Sequence, residues 1–113
     1  MDIDYWESER GVSPVYEFIR SQPPEAQIRI QRTIGYFRER GFQLLQSPLL
    51  KKLNGYDIYE LRISIQRVCY RIFLIYYKSS SWLVHAFKKK SNNTPQREID
   101  VAEGRRQLII QTG

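Results

Sequence analysis

The 113-residue chain is poor in the groups that build crosslinks and metal sites. It has a single cysteine, Cys69, so no internal disulfide can close, and such usage belongs to a reducing, cytoplasmic setting. Its single histidine is His85. One Cys and one His cannot assemble a zinc site without carboxylate help, and neither metal nor other cofactor is expected. No apolar run approaches the roughly 18 residues that span a bilayer, so no membrane partner is expected. The opening Met1-Asp2-Ile3-Asp4-Tyr5-Trp6 lacks a basic stretch and an apolar core, so it is not expected to act as a secretory signal. Repeats, low-complexity segments and long linkers are missing too.

What remains is an ordinary globular composition, with 42% hydrophobic and 27% charged residues. Eight Tyr, five Phe and two Trp supply enough large apolar surface for one core, and the length fits a single domain over residues 1–113. The net charge of +6 is unevenly placed. Residues 1–50 carry six Lys/Arg against seven Asp/Glu; residues 51–113 carry twelve against five. A basic half suits either an anionic partner, nucleic acid above all, or a solubilising surface.

Periodicity orders the elements. Ile3 to Glu7 alternates as a short strand. Ser13-Pro14 starts a helix, with Ser as cap and Pro in the first turn, and Val15, Phe18 and Ile19 form its apolar face. Pro23-Pro24 ends it and opens a second helix, in which Ala26, Ile30, Ile34 and Phe37 recur at helical spacing until Gly41. Residues 42–55 read as a loop. The period then falls to two. Ile58 to Ile65 and Arg67 to Tyr77 pair as a hairpin, Lys78 to Ser81 turns, and Trp82 to Lys88 forms the next strand. Thr94-Pro95 caps a last helix from Gln96 to Ile109. The order β-α-α-β-β-β-α predicts an α+β domain with an antiparallel sheet covered by helices on one face.

Strand alternation sorts the side chains. Tyr59, Leu61 and Ile63 turn to the helices, which leaves Glu60 and Arg62 on the open side. Tyr70, Ile72 and Leu74 do the same and leave Cys69, Arg71 and Phe73. His85, Phe87 and Lys89 share one face, whose side depends on register. Arg62 and Arg71 therefore lie on neighbouring strands and the same uncovered side. Lys51 and Lys52 sit just before the sheet, and Lys88, Lys89 and Lys90 at its end. Cations and rings on one hollow suit single-stranded RNA, where cations hold phosphates and aromatics stack on bases. Each feature also has a plainer reading. Strand arginines are commonly solvated or paired with a carboxylate, and Glu60 is at hand. The lysine triplet also reads as a solvated strand end, His85 as structural, and Phe87 as core.

The set Lys51-Lys52-Leu53, Tyr59-Glu60-Leu61-Arg62, Tyr70-Arg71-Ile72-Phe73, His85-Ala86-Phe87-Lys88-Lys89-Lys90, Thr94-Pro95 and Glu98-Ile99 with Ala102 resembles the RelE/HigB toxin superfamily, on the side of its HigB-like, phage-associated branch. The likeness runs through nearly the whole chain. It implies a microbial-RNase-like fold, a ribosome-dependent cut in messenger RNA, cytoplasmic action, and silencing by an antitoxin, expected to be a helix-turn-helix protein. Arg62 and Arg71 match the arginines that grip the scissile phosphate. Lys89 and Lys90 match the Phe-x-Lys-Lys end of the last strand, Phe87 its aromatic, and Lys51 or Lys52 the basic residue ahead of the sheet. Ala86 stands where Gly is common, and Lys88 where a less polar residue is common.

The implied reaction needs no metal, because RNA carries its own nucleophile, the 2′-hydroxyl. Preorganised cations stabilise the charge that gathers on the phosphoryl oxygens. Candidates for proton transfer are Lys89, Lys90 and His85, while Glu60 is either a base or an orienter of Arg62. Two competing readings use the same basic face: a non-catalytic RNA- or ribosome-binding module, and an inactive toxin homologue serving as partner or corepressor of a DNA-binding antitoxin. The apolar Leu108-Ile109-Ile110 is free to pack on the core or on a partner.

Overall fold

The computed structural model describes residues 1–90 and 93–112. The element order is β1 (Asp2–Tyr5), α1 (Pro14–Arg20), α2 (Pro24–Arg40), a 3₁₀ turn (Gly41–Gln46), β2 (Leu50–Lys52), β3 (Tyr59–Ile65), β4 (Val68–Tyr77), β5 (Ser80–Lys89) and α3 (Gln96–Thr112). The expected α+β class and order hold. The additions are β2, inside the stretch read as loop, and the 3₁₀ turn, which begins one residue before it.

Local chemistry accounts for the boundaries. The Ser13 hydroxyl accepts from the Tyr16 amide at 3.2 Å, and Pro14 occupies the first turn of α1. Gly41 ends α2 at φ +57°, a left-handed conformation that disfavours a side chain. A Cβ there would also come within 3.3 Å of the Met1 side chain. Lys78 and Ser79, both at positive φ, make the whole turn between β4 and β5, so Ser80 and Ser81 belong to β5. Such two-residue turns match the twist of the strands they join.

The five strands lie in the order β1-β5-β4-β3-β2. β2 to β5 form the expected antiparallel run, but β1 joins β5 in parallel, so the sheet is mixed. Leu50 explains β2: it pairs with Leu61 and is buried in the core, and two lysines follow it on an edge strand.

The helices cover both faces rather than one. On one side, Val15, Ile19, Ala26, Ile30, Ile34 and Phe37 of α1 and α2 pack on Leu61, Ile63, Ile72, Leu74 and Leu83. On the other, Ala102 and Ile109 of α3 pack on Phe73, Ile75, Val84 and Phe87. The physical reason lies in β4, where Arg71 through Ile75 is buried without a break. A strand that is apolar on both faces needs cover on both. α3 covers only the Phe73–Ile75 end of its face. The Cys69–Arg71 end is left for the cationic side chains.

Candidate nucleic-acid interface

The β3–β4 register sets the site. Arg62 lies directly opposite Arg71, Glu60 opposite Phe73, and Ser64 opposite Cys69. Outward from this pair, Lys51 on β2 faces Glu60, while Phe87 and Lys89 on β5 face Arg71 and Cys69. Lys51, Arg62, Arg71 and Lys89 thus gather around one carboxylate on the half-face that α3 leaves open.

Glu60 is the centre. It is only 2% exposed, and its two oxygens face the two arginines: Oε1 is 3.3 Å from Arg62 Nε, and Oε2 is 3.7 Å from Arg71 Nε. Neither approach has hydrogen-bond geometry. Glu60 Oε2, Arg62 Nε and Arg71 Nε are buried without a hydrogen-bond partner. Arg71 Nη1 donates to the Tyr70 carbonyl at 3.0 Å. The Arg71 side chain is 10% exposed and that of Arg62 33%, so Arg62 is the outer guanidinium and Arg71 the inner one.

Of the three terminal lysines, Lys89 alone joins this cluster. Desolvation pushes its pKa below the ordinary lysine value; Glu60 opposes the shift, and Arg71, Arg62 and Lys51 reinforce it. Lys88 is paired with Tyr70, on the α1–α2 side, and is exposed. Lys90 lies beyond the end of β5 and is also exposed. Lys51 and Lys52 separate in the same way. Lys51 faces Glu60, whereas Lys52 Nζ donates to the Tyr56 carbonyl at 2.8 Å and so fastens the loop before β3.

His85, Phe87 and Lys89 share one face, as their spacing suggests, and the register makes it the Arg71 side, with His85 and Phe87 toward α3. A bulge shifts the β4–β5 register between Phe73 and Leu74, leaving Val84 without a partner and setting Val84 and His85 against α3. His85 Nε2 lies 2.9 Å from Glu98 Oε1, and Nδ1 lies 3.3 Å from Arg105 Nη1. A guanidinium only donates, so Nδ1 accepts and the proton sits on Nε2. Burial lowers the His85 pKa against the opposing pull of Glu98, which agrees with a neutral ring. Arg105 Nη1 also donates to the Val84 carbonyl at 2.7 Å, and its guanidinium lies 5.0 Å from the Trp6 ring centroid. Both ring nitrogens of His85 are thus committed to holding α3. Phe87, expected to offer a stacking face, is buried: it meets Phe73 edge-on at 5.1 Å and stacks on His85 at 5.6 Å. Its place beside the α3 core explains the change.

Sequence reading underrated Glu60 and missed Arg105. The signal for Glu60 was present, since alternation sets it on the side of Arg62 and Arg71. Nothing in the α3 pattern marks Arg105 as the residue that reaches back to β5. No group of three or more His, Cys, Asp or Glu among the described residues is placed to hold a metal ion. No helix among them is long and apolar enough to cross a membrane.

A small α+β domain with cations ringed about one buried carboxylate on a half-open sheet is consistent with the RelE-like class. Residues 17–107, from α1 into α3 and including the whole cluster, match the phage-derived protein Gp49-like (DUF891) family. The chain belongs to that family, which is of the RelE/HigB-like toxin type. No curated protein matches it in sequence.

Proposed function

We propose that the chain is the toxin of a type II toxin–antitoxin pair, an endoribonuclease that cuts messenger RNA in the ribosome, in the cytoplasm, and is silenced by a cognate antitoxin of helix-turn-helix type. The observation that carries this reading is the cross-strand Arg62–Arg71 pair flanked by Lys89 and Lys51. Like charges opposite each other on a sheet are unfavourable, so such a pair suggests an anion to be held. A phosphodiester fits: guanidinium stays charged at all working pH values and donates in forked fashion to phosphoryl oxygens.

In this reading the RNA 2′-oxygen attacks the adjacent phosphorus and the bond to the 5′-oxygen breaks, leaving a 2′,3′-cyclic phosphate and a 5′-hydroxyl. The 2′-hydroxyl passes its proton to solvent water, and the leaving 5′-oxygen gains one. Arg62 meets the phosphate from outside, Arg71 holds charge beneath it, and Lys89 donates the proton. Lys89 is favoured over Lys90 because it stands within the cluster, and over His85 because the imidazole is engaged with α3. Groups this weak as acids and bases suit a catalyst whose substrate is oriented by the ribosome. Lys51 steers the backbone, and Lys88 and Lys90 add long-range attraction only.

A second reading, an RNA- or ribosome-binding module without cleavage, draws support from the burial of Arg71 and Phe87. Primer extension on a reporter transcript separates the two. Stops that need both ribosomes and intact Arg71 support the nuclease; salt-sensitive binding without stops supports the module.

A further inference from the structure

We propose that Glu60 is the positioning residue of the cationic site: by drawing both Nε groups toward itself, it turns the remaining guanidinium donors of Arg62 and Arg71 toward one anion. This deepens the nuclease reading and rests on it only for what the anion is.

A guanidinium has two usable edges, one formed by Nε with one Nη and one formed by the two Nη groups. Glu60 faces the Nε of both arginines, at 3.3 and 3.7 Å. Tyr70 takes Nη1 of Arg71. Both Nη groups of Arg62 and Nη2 of Arg71 are thereby left over on neighbouring strands. Without Glu60 the two cations would face each other across the ladder with nothing between them, and Arg71 would be a buried, uncompensated charge. The carboxylate is too buried to be a surface counter-ion and too poorly aligned to be a finished salt bridge. Its unsatisfied Oε2 and the two unsatisfied Nε groups describe a loose triad that can tighten when an anion pulls on the outer donors.

A carboxylate in this place admits a rival role, general base for the 2′-hydroxyl. The two roles differ in what removal does. Loss of a positioning group leaves the site one charge more positive, so substrate is held at least as well while turnover drops. Loss of a base alone leaves both guanidinium groups where they were and lowers only kcat.

The experiment compares wild type, Glu60→Gln and Glu60→Asp. Arginine Nε–H resonances are recorded by NMR with and without a short non-cleavable RNA, and cleavage on messenger-programmed ribosomes is followed across pH. The expected result is that the Arg62 and Arg71 Nε–H signals, distinct in wild type, broaden or shift in Glu60→Gln. The KM stays level or falls, kcat falls at least tenfold, and the alkaline fall in rate moves to lower pH, because the Glu60 charge no longer holds up the Lys89 pKa. Glu60→Asp, which keeps the charge, recovers part of kcat and of the arginine signals. Arginine spectra indifferent to Glu60→Gln in a folded protein overturn the proposal and leave Glu60 as the base. If the wild type cleaves nothing while the arginine signals respond as described, the positioning role stands and the nuclease reading falls.

Discussion

In the proposed nuclease, Arg71 is the residue on which the chemistry turns, because it is both buried and charged. Removing a preorganised cation from a charge-stabilising site costs ~10²–10³-fold in rate. Arg71→Ala is expected to lose cleavage and growth arrest to that extent. Arg71→Lys should lose most activity as well, since an ammonium reproduces neither the fork nor the bond to Tyr70. Lys89 gives a pH signature. As the acid it must be protonated, so turnover falls as pH rises through its pKa, which desolvation and the surrounding cations set below the ordinary lysine range. In Lys89→Arg, whose guanidinium does not deprotonate, that alkaline fall should disappear from the rate profile. An unchanged fall in the variant would move the acid elsewhere.

Among the elements, α3 is the one whose docking depends on a titratable group. His85→Gln should keep cleavage and lose roughly 1–2 kcal/mol of stability with the bonds to Glu98 and Arg105, measured by urea unfolding. The sign of the pH effect follows from the lowered His85 pKa. Between that value and the unfolded value of about 6.5, the unfolded chain binds the proton and the folded chain does not, so His85 makes stability fall as pH falls through that window. Wild type should therefore lose more stability than His85→Gln between pH 7.5 and 5.5. On the opposite face, fully buried Phe37 ties α2 to the sheet, and Phe37→Ala should cost about 3–5 kcal/mol. The period-two alternation of β3 and β4 made Glu60, Arg62 and Arg71 legible as one face. The bulge before His85, the brief β2 at Leu50 and the side of the sheet taken by α3 were not legible, because each is decided by a partner distant in sequence. The helical stripe of α3 says that it packs, and the double-sided burial of β4 says where.

At the scale of the whole molecule, two helices shield one face of a mixed sheet, a third shields half of the other, and four of the twelve Lys/Arg of residues 51–113 meet where cover stops: Lys51, Arg62, Arg71 and Lys89. The acidic and basic groups of residues 1–50 nearly balance, so anion binding should reside in the cluster and weaken with salt. The most direct measurement is primer extension on a reporter messenger RNA incubated with purified ribosomes, comparing wild type with an Arg62→Ala/Arg71→Ala double variant. Discrete stops, at fragments that begin with a 5′-hydroxyl, are expected for wild type only when ribosomes are present, and none for the double variant. Equal cleavage by the two proteins, or stops from neither, would contradict the nuclease reading.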